Sequence, residues 1–522
     1  MDASFARLAA LALLVFSGVL AGDVRAGDAE DEIFRDGFDV VNLPAGSIAF
    51  SDETSQYLDQ IADSDYRFDA LWTDFNGDGC HDAWIFAHAD PATSRLWVND
   101  CSAAHQLVLT GNDLVHYYIN PPELPRGSGW ISLLDFNGDG RQDFWTRDAA
   151  TPAARYVNAT SAPAATPFFS GKETGCDDHC VQVDIDGDDR FDIVREDGTV
   201  RDALDGSTVA ATIDSANYRG AADIDGDGWT DLVQPLGGGY WHNDQGVMEW
   251  RAVPGLTGDT ELMLMVDFDN DGDIDLFTIG QTQNGARLYR NDANAGFTDA
   301  SSGSGVEAIQ FQPWWTGYGN VTAGDLDNDG LQDIVVAGDR YSPSVSLLRN
   351  LGGLHFQRLD LDLGDSTAGS ESGKPRAALA DFENDGRLDL LKTQAGSNAG
   401  LWRNTTATGS NRWMKLRVRG QGLNSDGVGA DVKWYAPGTN TLLAHMSVQV
   451  SNQHPQAWLH TGVGAHARVD MLISWPHGGP ARRFDNLDTD QEIIAWPASG
   501  GCIIEHWSPG SGWPLAAPAN CQ

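Results

Sequence analysis

The chemistry most plainly written in this sequence is that of clustered carboxylates. The nine residues Asp267-Phe-Asp-Asn-Asp-Gly-Asp-Ile-Asp275 place carboxylates at their first, third, fifth and ninth positions and glycine at the sixth. Six near-copies begin at Asp74, Asp135, Asp184, Asp223, Asp325 and Asp381. A hard cation such as Ca²⁺ takes 6–8 oxygen ligands, which alternate residues of a tightly curled loop can supply. The candidate ligands in the first three loops are Asp74, Asn76, Asp78, Cys80 and Asp82, then Asp135, Asn137, Asp139, Arg141 and Asp143, then Asp184, Asp186, Asp188, Arg190 and Asp192. In the fourth and fifth they are Asp223, Asp225, Asp227, Trp229 and Asp231, then Asp267, Asp269, Asp271, Asp273 and Asp275. The last two offer Asp325, Asp327, Asp329, Leu331 and Asp333, and Asp381, Glu383, Asp385, Arg387 and Asp389. Position seven varies from Cys80 to Trp229 to Leu331, as a backbone carbonyl ligand would allow. Two copies depart from the pattern: Asp189 replaces the glycine in the third, and Glu383 is a longer ligand in the seventh.

An EF-hand shares the first six positions but needs a bidentate Glu at position twelve and helices on both flanks. Position twelve here is Ile85, Thr146, Arg195, Gln234, Thr278, Val336 or Lys392. None chelates, so the calcium-sensor reading is excluded. Each loop is followed instead by a short β-branched or aromatic run, such as Ala83-Trp-Ile-Phe86 or Ile334-Val-Val336, which reads as a strand. A second recurring element ends in asparagine: Leu96-Trp-Val-Asn99, Leu288-Tyr-Arg-Asn291, Leu347-Leu-Arg-Asn350 and Leu401-Trp-Arg-Asn404. The spacing predicts a unit of about four short strands and one metal loop, repeated seven times with insertions.

The chain of 522 residues is acidic, with 75 Asp and Glu against 33 Lys and Arg and a net charge of −42. Phosphates would be repelled, which argues against nucleic acid or an anionic membrane as partner. A hydrophobic content of 41% with 18 Trp and 20 Phe marks a folded chain. Arg7 ahead of the apolar run Leu8–Ala21, with small residues at Ala21 and Ala26, predicts an export signal over 1–26 and no membrane span in the mature chain. Residues 27–49 form an irregular acidic lead-in. The cysteines fall as Cys80 and Cys101, Cys176 and Cys180, and Cys502 and Cys521. Six permit fifteen pairings; neighbour pairing is the simplest, and disulfides suit an exported chain.

The pattern Asp-x-Asp/Asn-x-Asp-Gly-x-x-Asp before a hydrophobic strand resembles the FG-GAP/VCBS repeats of integrin α-chain propellers and of many secreted bacterial proteins. The resemblance implies an all-β fold: a seven-bladed β-propeller over 50–410 with one calcium loop per blade. After it, Asn411-Arg-Trp-Met-Lys-Leu-Arg-Val418, Ser425-Asp-Gly-Val-Gly-Ala-Asp-Val432, Leu459-His-Thr-Gly-Val-Gly464 and Ile473-Ser-Trp-Pro-His-Gly-Gly479 follow in order. That series resembles the ASPIC/UnbV domain of cartilage-acidic-protein-like chains, with Gly462-Val-Gly464 where Gly-Leu-Gly is usual. Its alternating runs Met414–Val418 and Val469–Trp475 predict a small β domain over 411–497, followed by a Gly/Pro-rich tail over 498–522 closed by Cys502 and Cys521.

No Gly-x-Ser-x-Gly elbow, His-Glu-x-x-His or phosphate-cradling glycine loop occurs, so no enzyme is expected. His445, His454, His460, His466 and His477 have no recognised ligand spacing and read as structural. Trp314 and Trp315 could stack on a sugar ring, with core packing as the competing role. Asn158, Asn320 and Asn404 begin Asn-x-Ser/Thr sequons. The expectation is a secreted monomer, extracellular or periplasmic, holding up to seven structural Ca²⁺ and binding an extracellular glycan or protein. A polysaccharide lyase or dehydratase on the same scaffold is the alternative.

Overall fold

The computed structural model describes residues 48–504, except for 59–67, 88–94, 103–106, 110–130, 159–168, 177–180, 215–219, 281–284, 310–318, 339–344, 364–375, 452–457, 478–480, 498–501 and scattered gaps of one or two residues. Seven consecutive antiparallel sheets account for most of it, as is consistent with propeller blades. The fifth sheet shows the plan. Thr260–Val266 runs into the acidic loop, Asp275–Gly280 returns from it, and Ala286–Asn291 and Phe297–Asp299 complete the sheet. The second strand is buried along its whole length, which explains why Leu276, Phe277 and Ile279 make it apolar on both faces. In all seven sheets the acidic loop joins the first strand to the second.

The seventh sheet is completed from the other end of the chain. Phe50–Asp52 pairs antiparallel with Ser397–Asn404, with Phe50 opposite Asn404. First strands of neighbouring sheets pack on one another, including Phe68–Thr73 of the first sheet on Arg376–Ala380 of the seventh. The first and last sheets are therefore neighbours. Such an arrangement protects inner strand edges that an open sheet would leave unpaired.

Residues 411–504 form two further sheets. One contains Trp413–Val418 between Leu459–Gly462 and Gln491–Trp496, the latter pairing parallel and continuing to Cys502–Ile504. The other is ordered Leu442–Ser447, Asp431–Tyr435, Arg468–Ser474 and Arg482–Asp488. The runs expected at 414–418 and 469–475 fall on observed strands. This C-terminal module is not freestanding. Its Met414, Val432, Trp434 and Ile473 share one buried cluster with Leu134, Val181 and Leu232 of the second, third and fourth sheets. Its segment Val450–Ser451 adds a fifth strand to the fourth sheet, pairing with Gly220–Ala222.

Candidate metal centres

Every acidic loop is built on the same hydrogen-bond frame. The position-five N–H donates to the first carboxylate in all seven loops, from Asp78 to Asp74 through Asp385 to Asp381, at 2.9–3.3 Å. The position-seven N–H donates to the fifth carboxylate in all seven, at 2.8–3.1 Å. The ninth carboxylate accepts from the position-two N–H in five loops, as Phe268 N–H to Asp275 at 3.0 Å. These bonds come from backbone donors, so the acceptor capacity they leave on each carboxylate remains for a cation. The curl also needs left-handed backbone at position four. Gly77, Gly138, Gly187 and Gly226 hold it with φ of 72–77°, and Asn270, Asn328 and Asn384 with φ of 54–57°. Glycine and asparagine tolerate that conformation where other residues resist it. Asp189 occupies it at position six of the third loop, with φ 62°.

The resulting sites concentrate buried negative charge. Asp82, Asp135, Asp143, Asp231, Asp275 and Asp325 are fully buried. Burial raises the carboxyls of Asp192, Asp223 and Asp325 to about 8 and of Asp275 to about 9, with neighbouring loop carboxylates adding to each rise. Buried position-three oxygens, Oδ1 of Asp225, Asp269 and Asp327, have no hydrogen-bond partner. An acceptor-only oxygen buried without a donor is costly unless a cation faces it. The residues therefore fit a hard divalent ion. In the fourth loop, for example, single oxygens of Asp223, Asp225 and Asp231 lie within 4.8 Å of one another.

Charge at position three is compensated within the fourth, sixth and seventh sheets. Where that position is neutral, Asn76 and Asn137, the third strand presents Val98 and Val157 just before its last asparagine. Where it is Asp327 or Glu383, the residue there is Arg349 or Arg403, each ion-paired to that carboxylate. In the fourth sheet it is His242.

The asparagine that ends the third strand ties neighbouring sheets together. Asn350 N–H donates to Asp333, while its side chain donates to Gln332 O of its own loop and Phe268 O of the preceding loop, at 3.1 and 2.8 Å. Asn158, Asn243, Asn291 and Asn404 each repeat the pattern. Asn99 reaches Phe382 O, linking the first sheet to the seventh at 2.9 Å. The third sheet has Asp202 there instead, paired with Arg190. Asn158 and Asn243 escape the sequence pattern because Arg155 and Tyr240 stand three residues before them, where the other copies have leucine. The aromatic residue two positions before each, Tyr156 and Trp241, was the available signal.

The C-terminal module lies against these loops. His445 Nδ1 bonds Asp267 at 3.0 Å and its Nε2 bonds Asp431. Gly462 N–H donates to Asp325 at 2.9 Å, Ser425 bonds Asp135, and His477 Nε2 stands 3.4 Å from Asp184. Lys415 reaches Asn384 at 2.6 Å. Three of the five histidines read as structural, His445, His460 and His477, thus sit at or near the loops; His81 of the first loop and His460 of the module are both buried. His454 lies outside the described residues.

Cys80 and Cys101 form a disulfide, fixing position seven of the first loop to the following turn. Cys180 and Cys521 lie outside the described residues, so the pairs Cys176 with Cys180 and Cys502 with Cys521 do too. Trp314 and Trp315 are likewise outside. The sequon residues Asn158, Asn320 and Asn404 are 0–5% exposed, and their side-chain amides are bonded to backbone carbonyls, which leaves no room for a glycan in the folded chain. Among the described residues no helix is long and apolar enough to cross a membrane.

Residues 267–336 and 325–391 match the FG-GAP-like repeat family, and the chain carries such repeats there. The match does not extend to 411–497. No curated protein matches the chain. Among solved structures it is similar to a quinonprotein alcohol dehydrogenase-like protein from Bacteroides thetaiotaomicron, at 7% identity over 65% of this chain and 76% of that one, with a TM-score of 0.32. A DUF4623 family protein from Bacteroides eggerthii matches at 8% identity over 71% and 77%, with a TM-score of 0.31. AofleA from Arthrobotrys oligospora matches at 12% identity over 68% and 90%, with a TM-score of 0.33.

Proposed function

We propose that the chain is a secreted seven-bladed β-propeller, cross-linked by structural Ca²⁺, that acts as a non-enzymatic binding scaffold for an extracellular glycan or protein. The observation that carries the metal part is the seven-fold loop frame closing on buried oxygens without donors. Asp267, Asp269, Asp271, Asp275 and the Asp273 carbonyl would hold the ion in the fifth loop, with the corresponding residues in the others. When bound, the ion supplies positive charge to a cluster that otherwise repels itself. The loops' own residues pin the first strand of each blade to the second, and the asparagines pass that order to the next blade. Binding the native state alone adds to its stability.

Recognition is assigned to the end away from the loops. The module occupies the loop end through Ser425, His445, Gly462 and His477. In an antiparallel four-stranded sheet, the connections from second to third strand and from one sheet to the next lie at the opposite end. The long segments of sequence between one sheet and the next include 110–130 and 310–318, the second holding Trp314 and Trp315. Loops carried on a rigid scaffold are where binding residues concentrate. A glycan and matrix-protein array probed with calcium-loaded protein tests this reading. Selective binding that Trp314→Ala or Trp315→Ala abolishes supports it; cleavage of a polysaccharide to unsaturated ends would replace it with the enzyme alternative.

A further inference from the structure

The fourth loop differs from the others in the side chain laid over it. Among the described residues, the position before the clasping asparagine is valine in the first and second sheets and arginine in the fifth, sixth and seventh. Here it is His242, with its side chain 7% exposed. Its Nδ1 lies 3.0 Å from Asp225 Oδ2 and 3.3 Å from Asp231 Oδ1, and its Nε2 lies 4.0 Å from Asp227 Oδ2. Nδ1 is shared between these two carboxylates rather than directed at one of them, and Asp225 Oδ1 has no hydrogen-bond partner. Arg251 already donates to Asp225 Oδ2 at 2.7 Å, so this carboxylate has a counter-charge without the histidine.

We propose that the fourth loop is a mixed imidazole–carboxylate site for a first-row divalent transition ion such as Zn²⁺, with His242 Nδ1, Asp225 and Asp231 as its core ligands and Asp227 at its edge. Ligand atoms bound at about 2.0–2.2 Å in a tetrahedral shell stand roughly 3.3 Å from one another, close to the two Nδ1 separations. Atoms of His242, Asp225 and Asp227 also lie within 4.8 Å of one another. Imidazole suits zinc, copper, iron or nickel, whereas shells of carboxylate, carbonyl and water suit calcium. An arginine at this position can neutralise a carboxylate but cannot ligate. Of the two module histidines beside loop carboxylates, His445 has both ring nitrogens engaged, to Asp267 and Asp431, and His477 stands 3.4 Å from Asp184 and 3.8 Å from Asp189. The inference rests on the metal-loop reading and narrows it at one of seven sites.

The test uses the full mature chain in excess Ca²⁺, titrated with Co²⁺ or Zn²⁺ alone. The expected result is one equivalent of ion retained against calcium, with a visible ligand-field band for Co²⁺. His242→Arg restores the counter-charge found in three other sheets and should fold. It should weaken that equivalent by about a hundredfold, the upper end of what loss of a residue that merely orients a ligand costs, while leaving the Ca²⁺ complement unchanged. His477→Gln controls for the histidine beside the third loop and should leave the equivalent in place. Retention of the ion by His242→Arg, or no calcium-resistant ion in the unaltered chain, overturns the proposal. Neither result bears on calcium in the other loops. Conversely, a chain whose stability ignores chelation of calcium refutes the broader reading, whatever the cobalt result.

Discussion

Replacing Asn350 by alanine should loosen the seam between the fifth and sixth sheets. Its side-chain amide donates to Phe268 O in one sheet and Gln332 O in the other, at 2.8 and 3.1 Å. Phe268, Gln332 and Asn350 are 0–3% exposed, so water cannot take over the lost bonds. A buried acceptor left unsatisfied costs about 1–3 kcal/mol, which makes the expected loss about 2–6 kcal/mol for the pair. Asn350→Asp should cost more, because it sets a carboxylate against the same two carbonyl oxygens. The assay is the guanidinium unfolding midpoint in calcium buffer, with Asn440→Ala on the exposed rim of the module as control. The control should stay within about 0.5 kcal/mol of the unaltered chain, as surface changes do. An Asn350→Ala midpoint indistinguishable from the control would refute the claim that this side chain couples neighbouring sheets.

Two further outcomes follow from the same contacts. Gly462→Ala would drive a methyl group into the Asn328 backbone, where no flexible side chain can yield. The module edge must then leave the sixth loop and the Asp325 bond, at a cost of about 1–3 kcal/mol. Limited proteolysis should detect it as new cleavage between 405 and 412, and an unchanged digest would contradict it. The metal-free chain should grow less stable as pH rises. Asp192, Asp223, Asp275 and Asp325 have folded values of about 8–9, far above the ~3.9 of an unfolded Asp. Their contribution is complete below the unfolded value and is lost as pH climbs through 8–9. Thermal melts in chelator across pH 6 to 9 should fall with pH; a flat or rising profile contradicts the buried-carboxylate description.

Much of this arrangement was legible in the chain because it repeats. Asp267, Asp269, Asp271 and Asp275 recur with their glycine and their following strand, so one loop's chemistry could be checked against six others. The missing glutamate at position twelve then separated the pattern from a sensor loop. Position four was harder to read, since Gly77 and Asn270 look unrelated until both are seen at positive φ. The strand closing the seventh sheet, Phe50–Asp52, is three residues long and carries no periodicity of its own. It is specified by its partner Ser397–Asn404, several hundred residues away, which no local pattern records. The histidines of the module were illegible for a similar reason. His445 lies on a strand and His477 in the turn after one, and only the docking of their sheet brings them to Asp267 and Asp184.

On the proposed function, divalent ions hold the loops and the loops hold the fold. Thermal unfolding of the mature protein with EGTA, then with Ca²⁺ restored, tests it most directly. At free calcium a hundred times the dissociation constant, each site adds about 2.7 kcal/mol to the native state. Chelation should therefore lower the melting temperature steeply and calcium should restore it. A transition that stays in place through both steps would contradict the account.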